Sequence, residues 1–94
     1  MKPIEWNKEK NDWLMRERGV SFEEVAVKIE AANVIAVVPN PNSAQYPHQQ
    51  VYILELRGYV YTVPFVEDDR KIFLKTIIPS RKRTRQYYQE RKEL

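Results

Sequence analysis

Apolar residues recur along this chain with two different periods, and the switch between them divides it into a helical half and a strand half. Phe22, Val25, Ala26 and Ile29 fall at helical spacing and form one stripe. Ser21-Phe22-Glu23-Glu24 before them is a capping box, and Val20 and Val25 occupy the positions of a hydrophobic staple. A helix is therefore predicted from Ser21 to about residue 32. Upstream, Asn7 reads as the N-cap of another helix that runs to about Arg18. Arg16 and Arg18 suit the negative end of its dipole, and Gly19 stops it. Residues 4–6 form a short first strand, because Pro3 is tolerated at a strand start.

Beyond residue 33 the period shortens. Residues 34–38 are β-branched and read as a strand that ends at Pro39-Asn40-Pro41-Asn42-Ser43, with a loop continuing through Tyr46-Pro47-His48. Strands at 51–56 and 59–66 flank Arg57-Gly58, a two-residue hairpin turn. In that register Leu56 faces Tyr59, Leu54 faces Tyr61 and Tyr52 faces Val63. With Phe65 they make one apolar face, on which the two helices are expected to pack. A last strand over 71–78, paired Phe65 to Ile72, keeps Ile72 and Leu74 on that face and brings Glu55, Thr62 and Lys75 together on the other. Pro64 conflicts with this meander, since it has no N–H for the ladder, and it argues for a bulge or a different register. After Pro79, Ser80 caps a final helix that reaches about residue 92. The order β-α-α-β-β-β-β-α predicts an α+β fold: two N-terminal helices packed on a mainly antiparallel four- to five-stranded sheet, with a C-terminal helix.

Ninety-four residues make one domain, 1–94, that buries about 60–65% of its unfolded surface. At 43% hydrophobic and 31% charged the chain is too apolar for disorder. It has no cysteine, and neither an apolar leader nor a run of about 18 apolar residues, so a soluble cytoplasmic protein without membrane contact is expected. The net charge is +3, and it is unevenly placed. Arg81, Lys82, Arg83, Arg85, Arg91 and Lys92 against Glu90 and Glu93 give the last fourteen residues +4, leaving −1 for the rest. Such a footprint suits phosphate or an acidic partner, and equally a solvated basic helix.

Arg81, Lys82 and Arg83 fall in the first turn of the last helix, where each exposed cation costs roughly 0.3–1 kcal/mol against the dipole. Cations there make sense when orphan N–H groups and guanidinium forks converge on an anion such as a phosphodiester. The alternative is neutralisation by carboxylates of the fold or of a partner. Lys82, Arg83, Arg85 and Lys71 are accordingly the candidate RNA-binding residues. Cleavage of RNA without metal needs a base, a cation and an acid. Glu55, Lys75, Arg81 and His48 are the candidates for those roles, Glu55 or His48 moving protons. A plain cross-strand ion pair for Glu55 and Lys75, and a solvated loop histidine for His48, are the competing readings. Tyr46, Tyr61 and Tyr87 are candidates for base stacking or proton donation, or else packing, and Trp6 and Trp13 for core or partner contacts. With Gly19 and Gly58 as the only glycines, a phosphate loop has no support; one histidine and no cysteine give no metal site, and no cofactor is expected.

Three stretches together resemble the BrnT family of toxins. They are Glu5-Trp6-Asn7 with Lys10 and Gly19-Val20-Ser21-Phe22-Glu23-Glu24; the hairpin ending in Tyr61-Thr62-Val63-Pro64-Phe65; and Ile77-Ile78-Pro79-Ser80-Arg81-Lys82, similar to the family's Ile-Ser-Ala-Arg-Lys. The chain departs from the family at Asn7, where Asp is usual, and at Glu17-Arg18, where Lys-His is common; Tyr46 to Gln49 is similar to a divergent branch. The resemblance implies a RelE-like fold and a metal-independent endoribonuclease that inhibits translation until bound by an antitoxin. The implied antitoxin is of ribbon-helix-helix type, with operator DNA engaged only through the complex. The alternative is a non-catalytic nucleic-acid-binding or protein-interaction module of the same fold.

Overall fold

In a computed structural model, which describes residues 1–92, the elements run β1 (Ile4–Trp6), α1 (Lys8–Arg18), α2 (Phe22–Glu30), β2 (Ala36–Pro39), β3 (Gln50–Leu56), β4 (Tyr59–Glu67), β5 (Ile72–Leu74), β6 (Ile78–Pro79) and α3 (Arg81–Lys92). The fold is α+β, built on a mixed six-stranded sheet of order β1-β5-β4-β3-β2, with β6 also paired to β4. Only the β1–β5 pair is parallel. The side chains of Arg91 and Lys92 and the whole of Glu93, counted in the tail charge, lie outside the described residues.

Local chemistry sets the helix ends. Asn7 accepts the Lys10 amide at 2.8 Å, and Gly19 stops α1 at φ +67°. The capping box at Ser21 and Glu24 is complete. The second helix ends sooner than the apolar stripe suggests: Ala32 turns left-handed at φ +55°, and the Asn33 amide closes back onto the Lys28 carbonyl at 2.9 Å. Arg57 and Gly58 both take positive φ, the turn geometry that follows the twist of the β3–β4 hairpin. Leu56, Leu54 and Tyr52 pair with Tyr59, Tyr61 and Val63, the expected register. Their shared face carries Leu14, Phe22, Val25 and Ile29 from the two N-terminal helices and Val20 from the turn between them. Trp6 stacks on Phe22 at 5.8 Å, and both Trp6 and Trp13 pack at the margin of this core.

Two expectations fail. The last strand is not continuous over 71–78. Phe65 pairs with Leu74, not Ile72, and beyond that the chain gains one residue on β4, since Thr62 pairs with Ile78. Three residues, Lys75, Thr76 and Ile77, thus oppose Val63 and Pro64. The break sits where Pro64 offers a carbonyl, bonded by the Lys75 amide at 2.8 Å, and has no N–H to return. The extra residue reverses the alternation, so Ile77 is fully buried while Ile78 is 42% exposed. Arg18 donates to the Ile77 carbonyl at 2.5 Å and ties α1 to the break.

The second failure concerns the other sheet face, on which the sequence pattern places only Glu55, Thr62 and Lys75. Val51, Ile53 and Val60 form a smaller core there with Ala36, Val38 and Tyr87, and α3 lies over it. The signal was present: Gln50–Leu56 and Tyr59–Glu67 are apolar at nearly every position, the pattern of strands covered on both faces.

Candidate nucleic-acid interface

The start of α3 is fixed to the middle of the sheet by two hydrogen bonds and braced by a third within its own first turn. The Ser80 amide donates to the Val60 carbonyl at 2.9 Å, and the Val60 amide donates to Thr84 Oγ1 at 2.8 Å. Thr84 Oγ1 in turn donates to the Ser80 carbonyl at 2.7 Å. Ser80 Oγ accepts the Arg83 amide at 3.2 Å, the N-cap expected of it. With Thr84 and Tyr87 turned to the sheet, helical geometry sends Arg81, Lys82 and Arg85 outward, and all three are exposed. Arg81 and Arg85 are one turn apart on one face, and the first turn contains no acid. Among the described residues no carboxylate pairs with Arg81, Lys82, Arg83 or Arg85.

Arg83 points differently. It is half-buried against the sheet and lines two adjoining depressions. One, of about 230 Å³, lies over Val38, Val51, Thr62, Pro64 and Ile78, with Asn40 and Pro41 of the following loop at its rim. The other, of about 140 Å³, runs beside Ile35, Ile53 and Tyr87. It meets a third, polar depression of about 430 Å³ at Ile35 and Tyr87, which Lys28, Asn33 and Glu55 also border. Three depressions thus lie beside α3, the first two sharing Arg83 as a wall and the last two sharing Ile35 and Tyr87.

The proposed base Glu55 and the proposed cation Lys75 are not brought together. Glu55 pairs with Val60, whereas Lys75 bonds Pro64, four residues further along β4. That offset is about 13 Å along the strand and about 10 Å across two strand spacings. Each already has neighbours. Glu55 accepts the Gly58 amide at 2.5 Å, closing the hairpin turn, and lies 3.6 Å from Lys28 Nζ. Lys75 Nζ lies 5.1 Å from the Phe73 ring centroid, level with β5 and away from the start of α3. Thr62 faces Ile78, not Lys75, and its hydroxyl reaches only the Ile78 carbonyl, at 3.5 Å. Pairing Phe65 with Ile72, two residues from the register observed, produced the false cluster.

Lys71 lies 3.7 Å from Glu5 and flanks the same Phe73 ring at 5.8 Å, so Lys71 and Lys75 form a patch of their own on β5. His48 is exposed in the 40–49 loop, whose ends Asn40 and Gln49 clasp through side-chain and backbone bonds of 2.9 and 3.1 Å. Lys28, missed in the sequence because it reads as an ordinary helix-end lysine, is the cation that Glu55 meets. Among the described residues no three His, Asp or Glu side chains are grouped to hold a metal, and no helix is long and apolar enough to cross a membrane. No family model, no curated protein and no solved structure matches the chain.

Proposed function

We propose that the protein grips the phosphate backbone of RNA with the leading turns of α3. On this reading it is a cytoplasmic ribonuclease toxin of the BrnT kind with a RelE-like fold, silenced by a ribbon-helix-helix antitoxin and meeting operator DNA only in that complex. One observation carries the proposal: Arg81, Lys82 and Arg85 stand exposed and without acidic neighbours on a helix end whose dipole already disfavours them. A phosphodiester placed there relieves the repulsion and meets guanidinium forks suited to its oxygens. Lys28, Glu55, Tyr87 and Glu90 are the titratable groups that border the depressions beside α3, Glu90 sharing one of them with Arg83.

The separation of Glu55 from Lys75 favours a second reading, a module that binds RNA without cutting it. Purified protein against bulk RNA, with and without EDTA, divides the two. Cleavage that survives EDTA and is lost in Arg81→Ala supports the toxin. Steeply salt-dependent binding with intact RNA supports the module. No affinity for RNA at all removes both and leaves a protein-interaction role. Inducing the gene alone, then with the adjacent open reading frame, gives the cellular counterpart: growth arrest relieved by the neighbour is expected of the toxin.

A further inference from the structure

The depression beneath Arg83 differs in chemistry from the phosphate-facing side of α3. Val38, Val51, Pro64 and Ile78 make an apolar floor on adjacent strands. Three polar side chains border it, of which Asn40, at the rim, is already bonded to Gln49 and to the Asn42 amide. The Thr62 hydroxyl makes only the 3.5 Å contact to Ile78, and the Arg83 guanidinium is half-buried without a partner among the described residues. A planar cation over an apolar floor is a slot for a flat ring: the floor takes one face and the guanidinium plane the other. The volume, about 230 Å³, is below that of a drug-sized pocket and suits a single ring system. Lys82 and Arg81 lie one and two residues before Arg83 in the same helical turn, so a ring in the slot has phosphate ligands within one turn of it.

We infer that this depression is a nucleobase subsite, which holds one unstacked base of a single-stranded RNA whose flanking phosphates lie on Arg81 and Lys82. The inference rests on the RNA-binding reading above and adds to it a base contact next to the backbone contacts. Since the Arg83 guanidinium presents only donors to the slot, it favours a base whose exposed edge carries acceptors, such as a uracil carbonyl edge.

The test uses the full chain and two ligands of equal length and charge: a uridine hexanucleotide and its abasic ribose-phosphate counterpart. The RNA is expected to bind about tenfold more tightly, within the range measured for stacking one base. Ile78→Trp, at an exposed position, fills the slot and is expected to bring RNA down to the abasic level while abasic binding stays the same. Circular dichroism confirms the fold of the variant. Equal binding of both ligands by the wild type, or an RNA preference that survives Ile78→Trp, overturns the subsite and leaves the phosphate reading intact. Failure of both ligands to bind overturns the two together. An acidic aromatic hexapeptide that outcompetes the RNA at the slot assigns it to protein recognition and likewise overturns the base subsite.

Discussion

Asn11 is the one buried polar side chain among the described residues, 3% exposed, and it joins the first two helices. Its Oδ1 accepts the Phe22 amide at 2.8 Å and its Nδ2 donates to Glu23 at 2.7 Å. Phe22 N–H is an orphan donor at the start of α2, so Asn11→Ala leaves it buried and unmet. A loss of roughly 1–3 kcal/mol is expected in urea denaturation. Tyr52 presents a titration at the same scale. It is 8% exposed and stacked on Phe65 at 4.0 Å. Burial first, and then the Glu67 carboxylate, raise its phenol above the ordinary value of 10.0. The folded state therefore holds the proton more tightly than the unfolded chain. The stability contributed is complete below pH 10 and is lost as pH rises through the raised folded value. Tyr52→Phe removes this dependence, so the fall in melting temperature between pH 9 and pH 11 should be smaller in the variant. An equal fall in both proteins assigns the alkaline loss elsewhere.

At the scale of elements, the break between β5 and β6 decides which isoleucine belongs to the core. Plain alternation from Leu74 buries Ile78 and exposes Ile77, whereas the extra residue opposite Pro64 does the reverse. Ile77→Ala is thus expected to cost about 2–5 kcal/mol and Ile78→Ala under about 0.5 kcal/mol, and the opposite order would show a straight strand. The same break marks what the sequence could reveal. The helix starts, Gly19 and the Arg57-Gly58 turn were legible because each is settled by a few neighbouring residues. Pro64 announced a disturbance, yet not its form. Whether a missing N–H is met by a bulge or by slippage depends on what packs above it, here the buried Ile77 and the Arg18 that holds its carbonyl. The second core was hidden for a related reason. Val51, Ile53 and Val60 look like spare apolar positions until Ser80 and Thr84 bond Val60 and set Tyr87 over them.

Across the whole molecule, charge is segregated. The body sums to −1, and four of its ten cations, Lys2, Lys28, Arg57 and Lys71, have carboxylate partners, whereas Arg81, Lys82, Arg83 and Arg85 at the start of α3 crowd into two turns with none among the described residues. The basic turn was legible from composition and one cap residue. The supposed catalytic cluster was not, because it needed a register across three strands, and pairing Phe65 with Leu74 and not with Ile72 moved Lys75 two residues along β4, from Thr62 to Pro64. The segregation predicts how salt acts on RNA binding. Each phosphate contact to a single strand releases counterions and contributes about 0.7 to the slope of log K against log salt. Replacing Arg81, Lys82 and Arg85 together by Gln leaves Arg83 in its slot and removes three contacts, so the slope should fall by about 2. Thermal stability should hold or rise, because the substitution also takes cations from the positive end of a helix and breaks up a like-charged pair one turn apart. A slope that stays unchanged while affinity persists places the RNA elsewhere, and the Lys71–Phe73–Lys75 patch on β5 is then the surface to substitute next.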